Sequence, residues 1–143
     1  MKKIVSGPAD VIASYVAQKV HMPDGFGACT ALGLIEDDQL IAGVVYNDWS
    51  GHNVFMHVGA EDGRRWLSKE FLHVCFDYPF NQLGVDRVTG WVEESNLDAR
   101  KFDEHLGFEL EARLKGAARD GKDVFIYVMW KDKCRFIGDR YAT

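Results

Sequence analysis

The sequence predicts a domain of the α/β or α+β class, built on one mixed β-sheet. Strand-like runs and amphipathic helical stretches follow one another in the order β-α-β-β-β-α-β-α-β-β. This order combines hairpins with crossovers, so the sheet is expected to contain antiparallel and parallel neighbours. The chain has 143 residues, 47% of them apolar, with no internal repeat or linker. We therefore expect a single domain over residues 1–143.

The first half of the chain is predicted to contain one helix and four strands. An apolar stripe at Ile12, Tyr15, Val16 and Val20 indicates the helix, and Pro8 suits its first turn. Turn-forming residues separate the strand-like runs around it. The predicted strands cover residues 3–6, 26–35, 39–46 and 54–60.

The second half is predicted to contain two helices and three strands. Leu67, Phe71, Val74 and Cys75 form one apolar face, which indicates a helix from near residue 65 to residue 76. The strands are predicted at residues 87–93, 109–114 and 124–130. The last of these runs is apolar on both faces, so we expect it in the interior of the sheet.

The segment from Ser95 to Phe108 is predicted to be a short helix with defined ends. Ser95 is a suitable N-cap, and Gly107 can supply the left-handed residue at the other end. Its apolar face is formed by Ala99, Phe102 and Leu106.

Charge and cysteine content narrow the functional classes. The net charge of −5 argues against broad nucleic-acid binding. The three cysteines form no CxxC motif or Cys/His cluster, which favours free thiols in a reducing compartment and no metal site. No apolar run is long enough for a signal peptide or a membrane span. We therefore expect a cytoplasmic protein without a membrane partner.

An ordered set of short motifs in the second half resembles the GNAT N-acetyltransferase superfamily. The set consists of Asn96, Leu106-Gly107-Phe108, Glu111-Ala112-Arg113, a hairpin ending at Gly121, and Tyr127-Val128-Met129. The similarity is greatest to the branch that acetylates ribosomal-protein N-termini and to short acetyltransferase-like proteins of phages. The resemblance covers about residues 39–134. It implies a largely antiparallel twisted sheet flanked by helices on both faces, acetyl-CoA as co-substrate and an amine as acceptor.

The resemblance places the CoA pyrophosphate at the start of the helix after the 54–60 strand. Family members carry an Arg or Gln and two small residues there, so that backbone N–H groups reach the phosphates. Arg64 matches this pattern, but Leu67 and Lys69 replace the small residues, so the loop is degenerate. Cationic side chains can compensate, or they can form a solvated surface. The candidate cofactor residues here are Arg64, Arg65, Leu67, Ser68 and Lys69.

The resemblance also implies where catalytic groups lie. The oxyanion donor is a backbone N–H on the central strand, here within Val58 to Ala60, and both end residues are candidate cofactor contacts. Gly59 either eases an opening beside this strand or accommodates its twist. Glu61 and His57 are the candidate bases. Glu61 equally suits a polar turn, and His57 a hydrogen-bonded core position.

Asp103 stands where many GNAT enzymes carry a Tyr that protonates the leaving thiolate. A carboxyl group donates protons poorly near neutral pH unless its pKa is well raised. Because the neighbouring Glu104 and His105 are polar too, we expect Asp103 to be a helix-surface charge. The usual general acid is then absent.

Asn96 and Arg100 are the candidate cofactor residues of the 95–108 helix. The resemblance implies that the Asn96 amide hydrogen-bonds pantetheine, with helix capping as its alternative role. Since Ser95 can cap the helix, we favour the ligand contact. Arg100 lies one turn further on and could reach a CoA phosphate, although a surface charge is its commoner fate.

The function expected from these residues is transfer of an acetyl group from acetyl-CoA to a primary amine by direct attack. The acceptor is either a small molecule or a protein N-terminus or lysine. The alternative is a catalytically inactive GNAT-fold binding protein, of phage or prophage origin, that acts through protein contacts. The tail from Phe136 to Tyr141 could reach a second copy, which leaves a homodimer open.

Overall fold

A computed structural model describes residues 1–63 and 66–138. Seven strands and three α-helices make up the described fold. The strands are β1 (Lys2–Val5), β2 (Cys29–Glu36), β3 (Gln39–Asn47), β4 (Asn53–Ala60), β5 (Arg87–Glu93), β6 (Glu109–Leu114) and β7 (Val124–Trp130). The helices are α1 (Ala9–Lys19), α2 (Lys69–Asp77) and α3 (Leu97–Leu106). A π-helical turn at Tyr78–Gln82 extends α2, and two 3₁₀ turns follow β7, at Lys131–Lys133 and Arg135–Ile137.

All seven strands form one sheet in the order β1-β2-β3-β4-β5-β7-β6. Every neighbouring pair is antiparallel except β4 and β5, which are parallel. The parallel pair is joined by the crossover that contains α2. The predicted mixed, largely antiparallel sheet is therefore confirmed, and β7 is an interior strand as expected.

Helix α1 lies on one face of the sheet, in a groove formed by three glycines. Gly33, Gly43 and Gly59 are register partners across β2, β3 and β4. A Cβ built at Gly43 would lie 2.8 Å from Val16 Cγ2 of α1, and one at Gly33 would lie 3.3 Å from Ile12 Cδ1. The helix backbone therefore packs closer to the sheet than larger side chains would permit.

Helices α2 and α3 cover the opposite face, where the larger core lies. Phe71, Cys75 and Phe76 of α2 and Leu106 of α3 are buried against this face. The Phe76 ring packs beside Phe108, with ring centroids 6.0 Å apart. Helices thus flank both faces of the sheet, as the resemblance implied.

Two helices start later than the sequence predicted. Helix α2 starts at Lys69, not near residue 65, because the Ser68 side chain caps it by accepting a hydrogen bond from Phe71 N. Helix α3 is capped by Asn96, not by Ser95: Asn96 Oδ1 accepts from Ala99 N at 3.2 Å.

Over the described ranges, no helix has the length and apolar character needed to cross a membrane. The same ranges contain no group of His, Cys, Asp and Glu side chains suited to hold a metal ion. Cys29, Cys75 and Cys134 are free thiols.

Candidate active site

A gap opens between β4 and β5 in the middle of the sheet. The two strands pair over only three residues each, from Asn53 opposite Arg87 to Phe55 opposite Thr89. On its other edge, β4 stays paired with β3 as far as Ala60. The last five residues of β4 therefore have a sheet partner on one side only.

Backbone N–H groups of β4 point into this gap. Glu61 N donates to Ile41 O of β3 at 2.9 Å. Because N–H directions alternate along a strand, the N–H groups of His57 and Gly59 also point toward β3. Those of Val58 and Ala60 point the other way, toward the gap. These are hydrogen-bond donors of the kind that can hold a carbonyl oxygen or an oxyanion.

Asp103 lies beside the gap and is half-buried, so the expectation of a solvated helix-surface charge is wrong. It lines a narrow cavity of about 10 Å³, close to the space that one water molecule needs. The other lining residues are Met56, Val58, Gly90, Phe102, Leu106 and Phe108. Burial raises the pKa of the Asp103 carboxyl to about 7, and the neighbouring Glu104 charge acts in the same direction.

His57 is held on the α1 face of β4. Its Nε2 is 3.1 Å from Asn47 Oδ1, and its ring lies 4.6 Å from the Phe26 ring centroid. Burial lowers the pKa of His57 to about 4, against a smaller opposing effect of Asp48. The imidazole is therefore neutral at pH 7, and the contact with Asn47 Oδ1 assigns the ring proton to Nε2.

Glu61 forms a cluster with two residues of α1. Its Oε2 accepts from the Tyr15 hydroxyl at 2.6 Å and lies 2.7 Å from Lys19 Nζ. Burial, followed by the Glu61 hydrogen bond and charge, raises the pKa of Tyr15. Glu61 and His57 are four residues apart along extended chain, about 13 Å, and each side chain has its own partners. The sequence does not reveal Tyr15 or Lys19 as partners of Glu61, because both are distant from it in the chain.

Gly59 lies between these two side chains, under the last turns of α1. A Cβ at this position would be 2.8 Å from Lys19 Cβ and 3.1 Å from Val16 Cα. Close packing of α1 thus requires glycine here. This reason differs from both roles expected from the sequence, an opening beside the strand and the twist of the strand.

The N-terminus of α2 follows the C-terminal end of β4 in the chain. Leu67 is partly buried against the core, Ser68 caps the helix, and Lys69 is exposed in its first turn. Glu70 is the acidic residue of that turn. Arg64 and Arg65 lie outside the described residues.

Asn96 caps α3 and Arg100 lies within it, and α3 packs on the same face of the sheet as α2. Asn96 uses its Oδ1 as the helix cap. The Arg100 guanidinium stacks over the Phe125 ring at 4.1 Å from the centroid, and its Nε is buried without a hydrogen-bond partner among the described residues. Arg100 is thus partly buried against β7, where the sequence favoured an exposed surface charge.

The candidate site residues therefore form two groups, which lie on opposite faces of the sheet. His57, Gly59 and Glu61 face α1, whereas the α2 and α3 residues lie on the other face. Asp103 belongs to the second group. Its partial burial follows from the packing of the Asp103 side chain against Gly90 of β5, and the sequence does not show this contact.

The fold is that of GNAT N-acetyltransferases. A spermidine N-acetyltransferase (SpeG) variant from Vibrio cholerae matches with a TM-score of 0.75 and 12% identity, over 97% of this chain and 98% of that chain. A probable acetyltransferase from Staphylococcus epidermidis has a TM-score of 0.71 at 14% identity, with coverages of 92% and 99%. Ard1 from Thermoplasma volcanium has a TM-score of 0.63 at 14% identity, with coverages of 90% and 97%. No protein-family model matches this sequence, and no curated protein matches it either.

Proposed function

We propose that this protein is an N-acetyltransferase that moves the acetyl group of acetyl-CoA to a primary amine. The gap between β4 and β5 is the observation that carries the proposal. Beyond Phe55, β4 is not paired with β5, and the N–H groups of Val58 and Ala60 point to that side of the strand. A thioester carbonyl lying in the gap would accept from these groups, and an amine could approach it from the other face.

The residues on the α2/α3 face suit acetyl-CoA. The N-terminus of α2 and the exposed Lys69 provide backbone N–H groups and a cation for a phosphate. Arg64 and Arg65 precede this helix in the sequence and would add positive charge in place of the two missing small residues. Asn96 keeps its side-chain NH₂ group for a pantetheine carbonyl, since the cap uses only Oδ1.

The acetyl group would move by direct attack, without an acyl-enzyme. Cys75 is fully buried, and burial raises the pKa of its thiol, so it is unsuited to be a nucleophile. A base on the α1 face would take the amine proton. His57 and Glu61 remain the two candidates, Glu61 acting within its cluster with Tyr15 and Lys19.

The acceptor is proposed only as a class: a small amine, or the N-terminus or a lysine of a protein. SpeG from Vibrio cholerae is described as a spermidine N-acetyltransferase, so a polyamine belongs among the amines to be tested. The branch that acetylates ribosomal-protein N-termini, with its short phage relatives, makes a peptide with a free N-terminus the second choice. We propose the cytoplasm as the site of action.

Thermal unfolding with and without acetyl-CoA tests the proposal. Acetyl-CoA at 100 times its Kd should stabilise the folded protein by about 2.7 kcal/mol, which raises Tm by several degrees. Release of free thiol in the presence of spermidine, a lysine peptide or a peptide with a free N-terminus then identifies the acceptor. An unchanged Tm across millimolar acetyl-CoA would contradict the proposal and favour the alternative of a non-catalytic binding protein.

A further inference from the structure

Lys19 carries a primary amine on the α1 face of the sheet, beside the gap. It is the last residue of α1, and its Cβ lies 2.8 Å from the position of a Cβ built at Gly59 of β4. The neighbours of Gly59 are Val58 and Ala60, whose N–H groups point into the gap. The Lys19 side chain therefore begins directly above the part of β4 that would hold the thioester carbonyl.

The Lys19 amine can reach such a carbonyl by a change of rotamer. Neighbouring strands of a sheet lie about 4.8 Å apart, so a carbonyl that accepts from β4 in the gap lies within one strand spacing of Gly59. The flexible stem of a lysine spans about 5 Å from Cβ to Nζ when it is extended. Because the Lys19 side chain is 36% exposed, this movement needs no rearrangement of the core.

A carboxylate that can accept a proton is already in contact with this amine. Lys19 Nζ lies 2.7 Å from Glu61 Oε2, the oxygen that also accepts from the Tyr15 hydroxyl. An amine attacks a carbonyl only after it has lost a proton, and a carboxylate at hydrogen-bond distance can accept that proton. Exposed ion pairs add little to stability, so the fold alone gives no strong reason for this pair.

We propose that the protein acetylates itself at Lys19 when acetyl-CoA is bound and no other amine is present. This inference rests on the function proposed above. The Lys19 ammonium first releases one proton to solvent through Glu61. Its nitrogen then forms a bond to the carbonyl carbon, and the C–S bond breaks with its electron pair moving to sulfur. A second proton passes from the nitrogen to sulfur through water, so the products are acetyl-lysine, the thiol of CoA and one released proton.

Incubation of the purified full chain with acetyl-CoA, without any other amine, tests the proposal. Mass spectrometry should show one added acetyl group, which peptide mapping should locate at Lys19. The rate constant should not depend on protein concentration, because the amine and the bound thioester belong to the same complex.

Lys133 is the matched control lysine within the same chain. It also lies near a carboxylate, with its Nζ 3.8 Å from Glu109 Oε1, but it belongs to the 3₁₀ turn after β7 and not to the α1 face of the gap. Since only Lys19 is held beside the thioester, it should be acetylated at least about 100-fold faster than Lys133.

Three variants separate the acceptor from the base. Lys19→Arg keeps a cation beside Glu61 but has no amine that can be acetylated, so the added acetyl group should be absent. Glu61→Gln keeps the size of the side chain but removes the base, and should slow acetylation of Lys19 about 100-fold. Lys133→Arg should be acetylated at Lys19 as fast as wild type. Thermal unfolding shows whether each variant is folded.

The possible results distinguish failure of this inference from failure of the proposed function. Equal rates at Lys19 and Lys133, or an unchanged Lys19 rate in urea-unfolded protein, would mean chemical acetylation by the thioester alone and would overturn the proposal. If Lys19 stays unmodified while spermidine or a peptide causes thiol release, the enzyme is an acetyltransferase that does not modify itself. If the protein neither binds acetyl-CoA nor releases thiol with any amine, the proposed function fails, and self-acetylation fails with it.

Discussion

His57 and Asp103 lie on opposite faces of the sheet beside the gap, and burial moves their pKa values in opposite directions. Burial disfavours the charged form of each, which lowers the pKa of the imidazole and raises that of the carboxyl. At pH 7 the imidazole is therefore neutral, and about half of the carboxyl is protonated.

The pKa of His57 predicts sensitivity to acid. The folded-state pKa of about 4 lies below the ordinary value of 6.5. The stability that the neutral imidazole gives the folded state is therefore complete above pH 6.5 and is lost as the pH falls toward 4. Urea unfolding should show a loss of about 2 kcal/mol between pH 7 and pH 5, which His57→Gln should largely abolish. His105→Gln, an exposed change on α3, is the matched control. Equal pH dependence in His57→Gln and wild type would contradict the burial of a neutral imidazole.

Among the elements, α1 depends on the glycine groove beneath it. Gly59→Ala places a Cβ 2.8 Å from Lys19 Cβ and 3.1 Å from the α1 backbone at Val16, so the helix must shift. We expect the free energy of unfolding to fall by about 1–3 kcal/mol, measured by urea denaturation. Gly138→Ala is the control, because a Cβ there meets nothing within 4 Å and φ is −74°. Wild-type stability of Gly59→Ala would mean that α1 does not pack as closely as described.

At the start of α3, Asn96 caps the helix and is also proposed to contact acetyl-CoA. Two substitutions separate these roles. Asn96→Asp keeps an oxygen for Ala99 N but loses the NH₂ group, so Tm should hold while acetyl-CoA affinity falls tenfold or more by calorimetry. Asn96→Ala should lose affinity and also about 1 kcal/mol of stability. Ser95→Ala should change neither, since Ser95 is not the cap. Wild-type affinity of Asn96→Asp would remove this amide from the site.

For the whole molecule, local sequence patterns predict the helices and strands but not the contacts between them. The order of strands and helices, the interior position of β7 and the mixed sheet all follow from periodicity and turn residues. The cap of α3 was misplaced by one residue because Ser95 and Asn96 are both good caps. The partial burial of Asp103 is not visible in the sequence, because Asp103-Glu104-His105 is typical of a solvated helix face. Only the register that brings α3 over Gly90 distinguishes Asp103 from its neighbours.

The gap divides the sheet into two halves, β1–β4 and β5–β7, joined by three residue pairs of β4 and β5. Amide hydrogen exchange should reveal this division within a single strand. The N–H groups of His57 and Gly59 are paired with β3, whereas that of Val58 faces the gap, so Val58 should exchange faster than both neighbours. Acetyl-CoA should slow the exchange of the Val58 amide and leave the exchange rates of His57 and Gly59 almost unchanged, because a carbonyl in the gap protects only the donor it contacts. Equal protection of the three amides in the free protein would mean that β4 and β5 remain paired and that the opening required for catalysis is absent.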